Sequence, residues 1–163
     1  MTTTEGTSPV RYLEDLAVGQ RYRSGKVSVD AAAIKAFASA FDPQPFHLDE
    51  QAARASFFGG LAASGWHTAA LTMRLLVESD LRPAGGIIGA RGEELTWPRA
   101  VRPGDTLELD MEVLEVRRSG SRPRHGYVKF RTTTLNQRQE PVQVLVMDLL
   151  VERRQEARVA SAL

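Results

Sequence analysis

The chain contains no cysteine among its 163 residues, which excludes disulfides, thiolate metal sites and a cysteine nucleophile. Nor does it contain an apolar run approaching the length of a membrane span. Charge of one sign is not in excess: the formal net charge is +1, with 25% charged residues, so nucleic acid and membrane surfaces are not expected partners. Its first residues, Met1-Thr2-Thr3-Thr4-Glu5-Gly6-Thr7, lack the basic and apolar blocks of a secretory signal. A cytoplasmic location is the resulting expectation. Repeats, low-complexity blocks and internal linkers are also missing, and the length suits one domain with a sizeable core. That domain is expected over residues 11–153, between loose ends at 1–10 and 154–163.

What is present follows one order. Arg21 to Val29 reads as a strand, and Asp30 is a good N-cap for a helix over Ala31 to Phe41. Ile34, Phe37, Ala38 and Phe41 give that helix an apolar face, and the Asp42-Pro43 step ends it. Asp49 can cap a further short helix. Ala62 to Glu78 is apolar around most of its circumference, the mark of an interior helix. Beyond Gly85-Gly86 the period becomes that of strands. Ile87 to Trp97 is a candidate, and Arg102-Pro103-Gly104-Asp105 carries turn chemistry. Leu107, Leu109, Met111 and Val113 alternate with Glu108, Asp110 and Glu112; a slip at Val113-Leu114 predicts a bulge. Tyr127 to Leu135 and Val142 to Val151 complete the set, the last apolar on both faces and expected in the sheet centre. Helices followed by hairpin-connected strands predict an α+β antiparallel layout, the sheet wrapping the apolar helix.

Asp42-Pro43-Gln44-Pro45-Phe46-His47 is the segment that carries chemistry. Its two prolines hold Asp42 and Gln44 extended, so a carboxylate and an imidazole are positioned at little entropic cost. Such a pair suits proton transfer near neutral pH. A carboxylate at a helix C-terminus opposes the dipole, so its presence asks for a function beyond turn-making. Asp42, His47 and Asp49 match no closed metal site. Ser64 lacks the first glycine of a nucleophile elbow, since Ala62 stands there. His67 reads as a core histidine, and Phe46, Phe58 and Trp66 as core residues that could also line an apolar pocket. The basic hairpin Arg117, Arg118, Arg122, Arg124 and His125 reads as a solvated loop, able to meet phosphate groups electrostatically.

Phe41 to Asp49, followed by Ala62-Ala63-Ser64-Gly65 at the start of a helix, resembles the MaoC-like dehydratases, which include the R-specific enoyl-CoA hydratases and have the hotdog fold. Glu94 to Pro98 and Arg102 to Leu107 are similar to that family's strand and turn, so the resemblance runs from about Tyr12 to Val151. It implies a curved antiparallel sheet around a central helix, and a hydro-lyase acting on a trans-2-enoyl-CoA. Asp42 and His47 would be its catalytic pair. Gly65 would offer its backbone N–H to the thioester oxygen, with Ser64, Gln44 and Trp66 as further substrate-site residues. No metal or redox cofactor is implied, CoA being part of the substrate, and a homodimer or higher homo-oligomer is expected. Gln44 replaces the family's usual asparagine, and Ser64 a common histidine; serine is a good helix cap, so the backbone site can survive. A hotdog acyl-CoA thioesterase and a non-catalytic acyl-binding subunit are the alternatives. The first would use the same oxyanion donor without the Asp42/His47 pair, and the second would be expected to lack one of those two residues.

Overall fold

In the computed structural model, which describes residues 8–155, a one-turn 3-10 segment Leu13–Asp15 precedes strand β1, Arg21–Ser28. Residues 1–7 and 156–163, most of the ends expected to be loose, lie outside the described residues. Arg154 bonds Glu14 and Asp15. Helix α1, Ala31–Phe41, starts where Asp30 accepts a hydrogen bond from the Ala33 N–H at 2.7 Å. Two short helices follow, α2 over Pro45–Leu48 and α3 over Glu50–Arg54. Asp49 caps α3 by accepting from Ala52 N–H, so the carboxylate considered for a metal is engaged structurally.

Helix α4 spans Gly65–Val77, and four strands complete the chain: β2 Gly89–Thr96, β3 Thr106–Arg118, β4 His125–Leu135 and β5 Pro141–Glu152. The five strands pair antiparallel throughout, in the order β1-β3-β4-β5-β2. The expected bulge is present: pairing passes from Val113↔Phe130 to Glu115↔Lys129, leaving Leu114 unpaired and returning Val116 to the core side. Pro103 and Gly104 occupy the middle of a tight turn, with Gly104 at φ +91° and the Asp105 N–H donating to the Arg102 carbonyl at 3.1 Å.

Two features depart from the sequence reading. The central strand is β4, with β5 one place from the edge. Strand β5 is apolar on both faces because long side chains cover its outer one. Arg117 crosses β4, its guanidinium 4.4 Å from the Tyr127 ring centre, and reaches Asp148 on β5 at 2.8 Å. The second feature is α4. Thr68, Thr72, Leu75 and Leu76 face the sheet and are buried, whereas Trp66, Met73 and Val77 are 60%, 40% and 60% exposed. An apolar circumference therefore does not mean complete burial within one chain, because the sheet covers only one face. Strand β2 is also exposed along nearly its whole length and is one of the sheet's two edges.

Asp148 is buried, one of its carboxylate oxygens lacks a partner among the described residues, and Arg117 is its ion-pair partner. Arg117→Met should lower unfolding free energy by about 2 kcal/mol in chemical denaturation, much of it recovered when Asp148→Asn is added.

Candidate active site

The site forms where the end of α1 meets the start of α4. The Asp42 N–H donates to the Ala38 carbonyl and closes α1; Gln44 is extended, as Pro45 requires, whereas Asp42, expected to be extended, leaves the α region with ψ only 69° because its N–H still holds the last turn of α1. Pro45 opens α2, where its missing N–H costs nothing, and one turn of helix carries His47 back toward Asp42. His47 Nε2 lies 3.4 Å from Asp42 Oδ2. The imidazole is almost sealed from solvent, and Phe46 and Phe58 pack on it.

A backbone group sets the imidazole's tautomer. His47 Nδ1 lies 2.7 Å from the Ala62 carbonyl oxygen, which can only accept, so the proton resides on Nδ1 and the neutral ring presents a bare Nε2 to Asp42. No side chain at position 62 takes part, so sequence reasoning had no signal for this contact.

Asp42 receives two donors. The Ser64 hydroxyl donates to Oδ2 at 2.7 Å and the Gln44 side-chain amide to Oδ1 at 2.7 Å. Ser64, led by its hydrogen bond, holds the Asp42 carboxyl below its ordinary range; Gln44 and His47 act in the same sense and burial opposes them. Ser64 is also the N-cap of α4, its oxygen accepting from the Trp66 N–H at 3.2 Å. A carboxylate that the α1 dipole disfavours is thus tied to the positive end of α4.

Gly65, the first residue of α4, has no hydrogen bond to its N–H among the described residues, as the start of a helix leaves it. The space a side chain would fill at Gly65 is taken by Trp97: an added Cβ would stand 2.8 Å from the indole. The glycine therefore accommodates an aromatic ring, a reason sequence reading did not supply. The Trp97 Nε1–H donates to the buried Gln143 at 2.9 Å, and the Trp66 ring packs edge-on against it, 5.5 Å away. The Trp66 side chain is largely exposed. A cleft of about 360 Å³ reaches Gly65, bounded by Phe58, Ala63, Thr68, Trp97 and Val101. Arg102 shapes its rim by donating to the carbonyls of Phe58 and Gly60.

The structure thus brings Asp42, Gln44, His47 and Ser64 into one hydrogen-bonded group, with Gly65 next in the chain. His67 stays apart: it stacks on Phe37 at 4.8 Å, its Nδ1 has no partner among the described residues, and burial holds its pKa below the ordinary histidine value. The basic residues Arg117 and Arg122 line a separate hollow with Asp148 on the outer face of the sheet.

Removing the Ser64 hydroxyl should raise the pKa of Asp42. In carboxyl-detected NMR titrations, Ser64→Ala should move the Asp42 transition to higher pH, and Gln44→Leu should move it less.

This architecture agrees with that of known proteins. The model of the MaoC like domain matches residues 15–135. A MaoC-like dehydratase from Rhodospirillum rubrum is 59% identical in sequence, with a TM-score of 0.86 over 90% of this chain and 99% of its own. An uncharacterized protein of Bacillus subtilis (strain 168), YdeM, is 30% identical over 86% of this chain and 99% of its own length. The (R)-hydratase from A. caviae involved in PHA biosynthesis is 25% identical, with a TM-score of 0.65 over 86% of this chain and 99% of its own. A five-stranded antiparallel sheet carrying one long helix, with an Asp-Pro-x-Pro-x-His segment ahead of that helix, makes this chain a hotdog-fold member of the MaoC-like dehydratase family.

Proposed function

We propose that this protein adds water reversibly to a trans-2-enoyl-CoA, giving a 3-hydroxyacyl-CoA. The observation that carries the reading is the 3.4 Å approach of Asp42 Oδ2 to His47 Nε2 while His47 Nδ1 is committed to the Ala62 carbonyl. The pair sets two acceptor atoms face to face, able to pass one proton between them. That is what a reaction requires when it removes a proton from water and delivers one to carbon.

Ser64 and Gln44 favour the charged form of Asp42, so the carboxylate is assigned as the base and the Nε2–H of a protonated His47 as the acid. Asp42 takes a proton as the water oxygen bonds to the β-carbon. The C=C electrons move onto the thioester oxygen as an enolate, and the free Gly65 N–H at the start of α4 stabilises that charge. The enolate then takes the Nε2 proton at its α-carbon. Transfer of the captured proton from Asp42 to His47 restores the pair. The R configuration of the product is assigned by likeness to the A. caviae (R)-hydratase.

A second copy of the chain is the partner proposed. The unpaired edge of β2 invites antiparallel pairing with its symmetry mate. The exposed Trp66, Met73 and Val77 of α4 provide an apolar surface for an assembly to cover.

A panel of enoyl-CoAs of varied chain length and branching tests the reaction. Wild type should remove the enoyl conjugation without releasing thiol, and Asp42→Asn and His47→Ala should each lower kcat by about a hundredfold or more. Equal rates in all three proteins would rule the mechanism out, and thiol release would favour a thioesterase instead.

A further inference from the structure

Trp97 is the side chain nearest the open face of Gly65, yet the chemistry assigned above makes no use of it. Its indole atoms would lie 2.8–3.0 Å from a Cβ added at Gly65, so the ring rests on the backbone of the first residue of α4. A thioester oxygen bonded to the Gly65 N–H would bring the carbonyl carbon and its acyl group within contact range of that ring. The cleft reaching this point has Phe58, Ala63, Val101 and Trp97 as apolar walls suited to an acyl chain; Arg99 and Arg102 also line it, the first paired with Glu140 and the second bonded to the Phe58 and Gly60 carbonyls.

The ring is fastened on three sides. Gly65 lies beneath it and Trp66 packs edge-on from outside. From within, the Gln143 carbonyl accepts the Nε1–H at 2.9 Å. Gln143 is itself fixed, since its amide donates to Thr72 Oγ1 at 3.0 Å, and Thr72 is hydrogen-bonded to Thr134 at 2.7 Å. Gln143, Thr72 and Thr134 are all essentially inaccessible to solvent. Burying a glutamine and two threonines in the core is costly unless each is bonded, and here the bonds run in series and end on the indole. A core requiring only volume would place apolar residues at these positions. The chain reads as a mount for Trp97.

We infer that Trp97 is a specificity-determining residue: held by the Gln143–Thr72–Thr134 series, its ring is the wall that limits the enzyme to short acyl chains. This rests on the hydration reading above and deepens it by naming the substrate class as short-chain enoyl-CoA thioesters. Strand β2 ends at Thr96, next to Trp97, so the wall stands where an edge strand leaves the sheet.

The test compares four-carbon and eight-carbon trans-2-enoyl-CoAs with wild type, Trp97→Ala and Trp97→Phe. Hydration rates are measured by loss of enoyl absorbance and binding by calorimetry. Wild type should prefer the four-carbon thioester. Trp97→Ala should raise the eight-carbon to four-carbon ratio of kcat/KM by about tenfold, chiefly through KM for the longer chain, as two or more accommodated methylenes would. Trp97→Phe keeps an aromatic ring on Gly65 but loses the Gln143 bond, so it should fold as wild type does and shift the ratio in the same direction by less. If wild type is active and both folded variants keep the wild-type ratio, the inference is overturned while the hydration reading stands. If wild type neither binds nor hydrates any enoyl-CoA, both fall.

Discussion

The hydrogen bond from Ser64 to Asp42 is the contact on which the rest of this site depends. It joins the end of one helix to the beginning of another, residues 22 apart in sequence and 2.7 Å apart in space. Without it the carboxylate would sit at the negative end of α1 with little to favour its charge. With it, the same oxygen faces His47, and Ser64 still caps α4 through the Trp66 N–H. One small hydroxyl therefore couples the state of the acid to the position of the helix start.

Around this contact the fold supplies rigidity in proportion to need. The prolines limit the loop between Asp42 and His47, a backbone carbonyl fixes the ring tautomer, and Arg102 ties down the Phe58–Gly60 segment that borders the cleft. The outer side is left open. Trp66 and Val77 on α4 and the fully exposed Phe57 are large apolar groups in water, and β2 is an exposed edge of the sheet. A single chain is thus well ordered at its chemistry and unfinished at its surface, which is the physical ground for proposing a second copy.

Much of this was legible in the sequence, for identifiable reasons. Asp30 before an apolar period and Asp-Pro after it mark both ends of α1, because caps and prolines act within a few residues. The bulge at Leu114 showed as a slip of one residue in a strict alternation. The Asp42/His47 pair was legible because two prolines leave the segment few conformations. What was hidden depends on distant or backbone partners. Ala62 contributes a carbonyl, for which residue type gives no sign. Trp97 covers Gly65 from 32 positions away, and Gln143 holds it from 46 farther on. The last strand was expected at the sheet centre but lies beside it, since an apolar outer face on β5 can be covered by arginine stems and a tyrosine as well as by a neighbouring layer. Likewise, the apolar circumference of α4 does not say whether one chain or two will bury it.

The central claim is that His47 meets Asp42 through Nε2 while Nδ1 keeps its proton on the Ala62 carbonyl. Nitrogen-15 NMR of the His47 ring across a pH titration tests it most directly. The account predicts that Nδ1 remains protonated throughout and that Nε2 alone gains a proton as the pH falls. A neutral ring protonated on Nε2, with Nδ1 as the titrating nitrogen, would contradict it.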